Sequence, residues 1–126
     1  LAAYVSQANE CRFCYAAHRA VAERALGANV VDAVFKGKAD GNVSPQLKAT
    51  LDFVGKLARS PADVSAADAD VVRNAGVSER GLETAIHICA AFCIINRLAN
   101  SLGFEIPSLT GFDRAAKFLL RFGYEV

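Results

Sequence analysis

Two cysteines and a histidine lie close together early in the chain, in the run Asn9-Glu10-Cys11-Arg12-Phe13-Cys14-Tyr15-Ala16-Ala17-His18. On an α-helix, at about 100° per residue, Cys11, Cys14, Tyr15 and His18 fall within one sector of roughly 100°. One face then presents two thiols and, a turn after the second, an imidazole. Helical cysteines at this spacing bring their Cα atoms close enough for a disulfide. With Asn9 as the cap, Cys11 sits in the first turn, where unpaired N–H groups and the helix dipole favour a thiolate. His18 is nearer in sequence to Cys14, so a direct imidazole–thiol contact is more natural there. These residue types suit thiol redox chemistry. Cys14 attacks a peroxide to give a sulfenic acid, and Cys11 condenses with it to a disulfide that an external thiol or dithiol must reopen. Proximity to His18 favours Cys14 as the attacking thiol, whereas the helix terminus favours Cys11.

The same residues admit other chemistry. Cys11, Cys14 and His18 supply three zinc-ligand types, and Cys89, Cys93 or His87 a fourth, although zinc C-x-x-C pairs usually sit on a turn. The cluster would then be structural, in a non-catalytic helical assembly module. Alternatively, the thiols and the imidazole simply pack in the core. Covalent haem attachment is excluded, because that motif needs His directly after the second Cys and Tyr15 stands there. Cys89 and Cys93 fall in the most apolar helix and read as inert packing, and His87 as a core or interface residue. Asn96 and Arg97 are unexpected in that apolar run. They read as a buried ion pair or helix contact, or as residues of a site or subunit interface. Tyr15 lines the thiol pocket or packs.

The elements that must position these residues all read as helices. Leu1 to Ala8 is the end of a helix, and Glu10 to Leu26 follows Asn9 and stops at Gly27. Asn29 to Phe35 is a short helix ending at Gly37, before a polar loop containing Asp40-Gly41-Asn42. Ser44-Pro45 starts a helix whose stripe is Leu47, Leu51, Val54 and Ala58. Ser65 caps Ala66 to Asn74. Ser78 caps the longest helix, Glu79 to Leu102, with Val77 and Leu82 as a hydrophobic staple and Gly103 as its stop. Pro107 to Gly111 reads as a linker, and Phe112 to Phe122 as a last amphipathic helix. No alternating strand pattern occurs, so the fold class is an all-α bundle of about six helices in one domain spanning residues 1–126.

Composition narrows the function. The 126 residues are 53% hydrophobic and 21% charged, with a net charge of +1, which excludes disorder and points to neither nucleic acid nor an anionic membrane as partner. The longest apolar run, from Ala85 to Ile95, is far short of the roughly 20 residues a membrane span needs, and reads as a buried core helix. No secretory apolar segment is visible at Leu1, so a cytoplasmic protein is expected. The chain opens on Leu1 rather than Met, which suggests that the first residues of the polypeptide are absent.

The run from Leu1 to His18, with Ser6 and Asn9 ahead of the C-x-x-C-x-x-x-H element, resembles the active-site signature of the AhpD-like alkylhydroperoxidases, within the carboxymuconolactone decarboxylase superfamily. The later run Phe92-Cys93-Ile94-Ile95-Asn96-Arg97-Leu98-Ala99-Asn100-Ser101-Leu102-Gly103 resembles the F-x-x-x-N-R-L-A-x-x-L-G stretch of its peroxidase-related branch. The resemblance implies an all-helical homo-oligomer (dimer, trimer or hexamer) with thiol-dependent peroxidase activity and no cofactor. Cys11 and Cys14 would be the redox pair and His18 part of a proton relay. The decarboxylase branch characteristically lacks the Cys pair, which makes a decarboxylase-like small-molecule enzyme the more distant alternative. A sensor using the pair as a regulatory switch is a further one. A relay Glu upstream of the first Cys would fall just before Leu1, and Glu10 is not assigned its role.

Overall fold

The computed structural model describes residues 1–36 and 43–123, and every described element is helical. The helices are α1 (Ala2–Ala8), α2 (Arg12–Leu26), α3 (Ala28–Phe35), α4 (Pro45–Arg59), α5 (Ala66–Asn74), α6 (Glu79–Ser101) and α7 (Leu109–Phe122), with one 3₁₀ turn at Pro61–Asp63. The all-α class is as expected. The Gly37 stop and the Asp40-Gly41-Asn42 loop lie outside the described residues.

Helix starts follow the capping chemistry. The Ser44 hydroxyl accepts from the Leu47 amide at 3.2 Å, with Pro45 preset for the first turn. The Ser78 hydroxyl accepts from the Gly81 amide at 3.2 Å. Ser65 and Asp68 form a reciprocal capping box, the Ser65 amide donating to Asp68 Oδ2 at 2.8 Å. α7 begins at Leu109 rather than Phe112, because the Ser108 hydroxyl accepts from the Gly111 amide at 3.3 Å and caps the segment read as linker.

The main core joins α1, α4, α5 and α6 through Val5, Phe53, Val54, Val72, Leu82, Ala85 and Cys89. A second, smaller cluster holds Cys11, Cys14 and Ala99 with Phe13 against it. Phe13 meets Phe104 edge-on at 5.3 Å and Phe112 of α7 at 5.9 Å, and an Arg24–Asp113 ion pair ties α7 to α2. α3 packs Phe35 against Tyr15 at 5.2 Å, while its Asp32 pairs with Arg19 of α2. The site is therefore held between α1, α2 and α6.

α6 differs from its sequence reading as a buried core helix. It buries only Leu82, Ala85, Cys89, Asn96 and Ala99, while Ile94, Ile95, Leu98 and Leu102 stand on the outside. A helix with neighbours on one side can bury only a stripe, whatever its composition. His87 is on the outer part as well.

Lys56 of α4 donates to both oxygens of Asp68, at 2.7 and 2.8 Å. This ammonium, together with the Ser65 amide and hydroxyl, holds the Asp68 carboxyl down to about 2 from an ordinary 3.8. The folded value is the lower one, so the stabilisation is complete above the ordinary carboxylate value and disappears as pH falls towards 2. Asp68→Asn should lower the thermal midpoint at pH 7, with the gap to the parent protein closing in melts between pH 4 and pH 2. A gap that stays constant with pH would show that the charge is not its source.

Candidate active site

The C-x-x-C segment does not lie wholly on a helix. α1 ends at Asn9, Glu10 takes a left-handed conformation (φ 55°), and α2 starts after Cys11. The Glu10 amide donates to the Gln7 carbonyl at 3.0 Å and the Cys11 amide to the Ser6 carbonyl at 2.9 Å. This is the pair of bonds of a Schellman turn, which satisfies the free carbonyls at the end of α1. The expected helix from Glu10 is thus corrected: Cys11 is the N-cap of α2 rather than a residue of its first turn, and Asn9 closes α1. The reason is local, since two helices of different direction must meet within three residues.

This corner brings Cys11 and Cys14 together. Both are nearly sealed from solvent, at 1% and 3% exposure, and both are free thiols, near one another but not at disulfide distance. The Cys14 thiol is pushed up to about 11. Burial is the largest cause, a hydrogen bond with Cys11 adds to it, and a hydrogen bond from the Asn96 side chain opposes it. Cys11 also lines a shallow surface pocket of about 120 Å³ with Ser6, Gln7, Glu10, Arg12 and Tyr15. Tyr15 is therefore both a lining residue and a packed one, its hydroxyl accepting from Arg19 Nη1 at 2.8 Å.

His18 lies one turn beyond Cys14 on α2, with its ring edge-on to Phe92 of α6 at 4.6 Å. Burial lowers its pKa below the ordinary imidazole value, and the charge of the Leu1 amino group adds to this. At neutral pH the ring is uncharged and can accept a proton.

Asn96 carries the polar side of the site. It is fully buried. Asn9 Nδ2 donates to its Oδ1 at 3.0 Å, and its own Nδ2 donates to Ser6 Oγ at 3.0 Å. Asn9 Nδ2 also lies 3.4 Å from Cys93 Sγ, as a donor. Among the described residues no buried side-chain nitrogen or oxygen lacks a partner. Arg97 donates to the Cys93 carbonyl of its own helix at 2.6 Å, which is the helix contact of the sequence reading, and it makes no ion pair among the described residues.

Cys93 touches this network through Asn9, whereas Cys89 lies apart from it. Cys89 donates to the Val54 carbonyl at 3.6 Å, and burial, with Cys93 beside it, raises its thiol to about 12. It is core packing, as expected. Among the described residues no three of His, Cys, Asp and Glu converge to hold a metal ion, so the ligand set of the zinc reading is not assembled.

Sequence reasoning missed Ser6 as a partner and read Asn9 only as a cap. The available signal was Asn96 itself, since an amide within an apolar helix stripe must find hydrogen-bond partners on a facing element. No protein-family model matches the chain, and no curated protein is similar to it.

Glu10 holds a backbone conformation that costs an L side chain roughly 1–2 kcal/mol and costs Gly nothing. Glu10→Gly should stabilise the protein by about 1 kcal/mol after the greater freedom of Gly in the unfolded chain is offset. Chemical denaturation would measure it, and a loss of stability would show that the Glu10 side chain itself holds the corner.

Proposed function

We propose that the protein is a cofactor-free thiol peroxidase of the alkylhydroperoxidase kind. The observation that carries this reading is the pair of adjacent, buried free thiols, Cys11 and Cys14, with the His18 imidazole, its pKa lowered by burial, one turn further along α2. The family resemblance of the C-x-x-C-x-x-x-H run supports the same reading.

In the first step His18 takes the Cys14 proton, and the Cys14 sulfur attacks the terminal oxygen of a hydroperoxide. The O–O bond breaks, Cys14 becomes a sulfenic acid, and the departing alkoxide takes the proton from His18 to leave as an alcohol. In the second step the Cys11 sulfur attacks Cys14 Sγ. The S–O bond breaks, and hydroxide leaves as water with the Cys11 proton. A dithiol reductant then reopens the disulfide and is itself oxidised to a disulfide.

The raised Cys14 value explains why a base is needed. At pH 7 few Cys14 side chains are thiolates, and each unit of pH below 11 costs about tenfold in thiolate. Mild organic hydroperoxide should convert Cys11 and Cys14 to a disulfide and leave Cys89 and Cys93 reduced. Mass-resolved trapping of sulfenic acid in Cys11→Ser should find it on Cys14, and His18→Gln should slow its formation at pH 7 about tenfold or more. Trapping on Cys11 in Cys14→Ser would reverse the roles, and no disulfide in the parent protein would overturn the peroxidase reading.

We also infer a homo-oligomer closed on the outer face of α6. A helix of 23 residues is about 34 Å long, and Ile94, Ile95, Leu98 and Leu102 run along its outside, with Phe118, Leu120 and Phe122 exposed on α7. Exposed apolar side chains gathered on one face suit an interface. A second copy carries the same face, so isologous pairing covers both at once. α6 is also apolar enough over its length to cross a membrane, but crossing would pull Asn96 and Cys89 away from α1 and α4. Light scattering after size exclusion should find an oligomer, and Leu98→Glu should shift it towards monomer. A parent protein that is monomeric throughout would refute the inference.

A further inference from the structure

Cys11 and Cys14 are all but sealed from solvent, so whatever reacts with either sulfur must first be let in. We propose that Phe104 is a specificity-determining residue, a ring that closes the approach to the thiols over Phe13 and limits the size of molecule reaching them. For hydroperoxides the proposal rests on the peroxidase reading, while the gate itself does not.

The position of Phe104 follows from how α6 ends. Leu102 caps the helix and Gly103 takes the left-handed conformation (φ 63°). The Gly103 amide donates to the Asn100 carbonyl at 3.3 Å, and the Phe104 amide to the Ala99 carbonyl at 3.0 Å. This is a Schellman stop, which carries the residue after the glycine back over the last turn. Ala99 is the α6 member of the thiol cluster, so the stop sets Phe104 beside it. Phe13, between the two cysteines in sequence, is the partly buried side chain packed against that cluster. Its ring meets Phe104 edge-on at 5.3 Å and Phe112 at 5.9 Å. The two outer rings are held very differently. Phe112 is 5% exposed and belongs to α7, whereas Phe104 is 47% exposed and begins the helix-free stretch to Ser108. Beyond its own amide, that stretch donates no backbone hydrogen bond to a described residue. Elsewhere the site is held between α1, α2 and α6, and parting helices exposes far more apolar surface than turning one ring. Swinging Phe104 out is the least costly way in, since losing an edge-to-face pair shifts an opening equilibrium by only about two- to tenfold. Phe13 then loses its outer neighbour and can turn from the sulfurs. The opening is one ring wide, so slim molecules pass and bulky ones do not.

The test follows alkylation of each cysteine by peptide mass in the parent protein, Phe104→Ala and Phe104→Leu. Two reagents are compared, iodoacetamide and the bulkier N-phenylmaleimide. Phe104→Ala should speed iodoacetamide at Cys11 or Cys14 about three- to tenfold, the worth of the lost ring pair. N-phenylmaleimide should gain by a larger factor, because the opening becomes wider as well as more frequent. Phe104→Leu keeps an apolar side chain over Ala99, so it still reports if the smaller variant loses its fold. It should show the same order of gains at lower size. Cys89, buried in the main core, is the internal control and should react as slowly as in the parent. Unchanged rates at Cys11 and Cys14, equal gains for the two reagents, or gains matched at Cys89 in both variants would overturn the proposal. Alkylation needs no turnover, so the gate is judged apart from the chemistry. Failure of hydroperoxide to form the Cys11–Cys14 disulfide strikes the peroxidase reading alone.

Discussion

A polar group sealed in a protein interior must have every bond it needs supplied by the fold, and the arrangement around Asn96 follows from this. Its acceptor is met by Asn9 at the end of α1 and a donor hydrogen by Ser6 of the same helix. Helices α1 and α6 are therefore fixed in depth and rotation relative to one side chain. Apolar packing alone would let α6 slide by a fraction of a turn at small cost, whereas an unsatisfied buried amide costs about 1–3 kcal/mol. The corner that follows Asn9 carries Cys11 and the start of α2, so the small cluster of Cys11, Cys14 and Ala99 lies beside this network.

Burial and reactivity pull in opposite directions at this site. Sealing the thiols protects a sulfenic acid from solvent and from further oxidation, but it also disfavours the thiolate, which is why Cys14 is displaced upward. His18 is affected by the same burial in the complementary sense, since losing solvent keeps its ring uncharged and ready to accept a proton. One desolvated environment thus shifts both groups away from their charged forms. Cys89, equally buried, lies against the Val54 carbonyl with Cys93 beside it, and its thiol is raised as well.

Much of this was readable from the residues. Ser44, Ser65 and Ser78 announced their helices, and Gly27 and Gly103 their ends, because caps and left-handed stops are local chemistry. Spacing singled out the thiol pair and His18, and the structure brings the two thiols together. What escaped was non-local or atypical. Glu10 occupies a left-handed corner usually given to Gly or Asn, so the break between α1 and α2 carried no compositional mark. The partners of Asn96 lie about 90 residues away in sequence, beyond the reach of any periodicity. The outward face of α6 was hidden because an apolar run looks the same whether its far side meets a neighbour or solvent.

Surface turns are ordinarily where chains gain and lose residues without penalty. The Asn9-Glu10-Cys11 corner cannot behave in that way. Its first residue grips α6 through its side chain, its second provides the reversal of direction, and its third both closes α1 and opens α2. One residue added or removed there would rotate α2 by about 100°, carrying Cys14 away from Ala99 of α6 and His18 off the Phe92 ring. The corner is a spacer of fixed length. Insertions and deletions in descendants of this chain would fall instead on stretches such as Phe104 to Ser108, which is exposed between α6 and α7 and which the site does not use as a ruler.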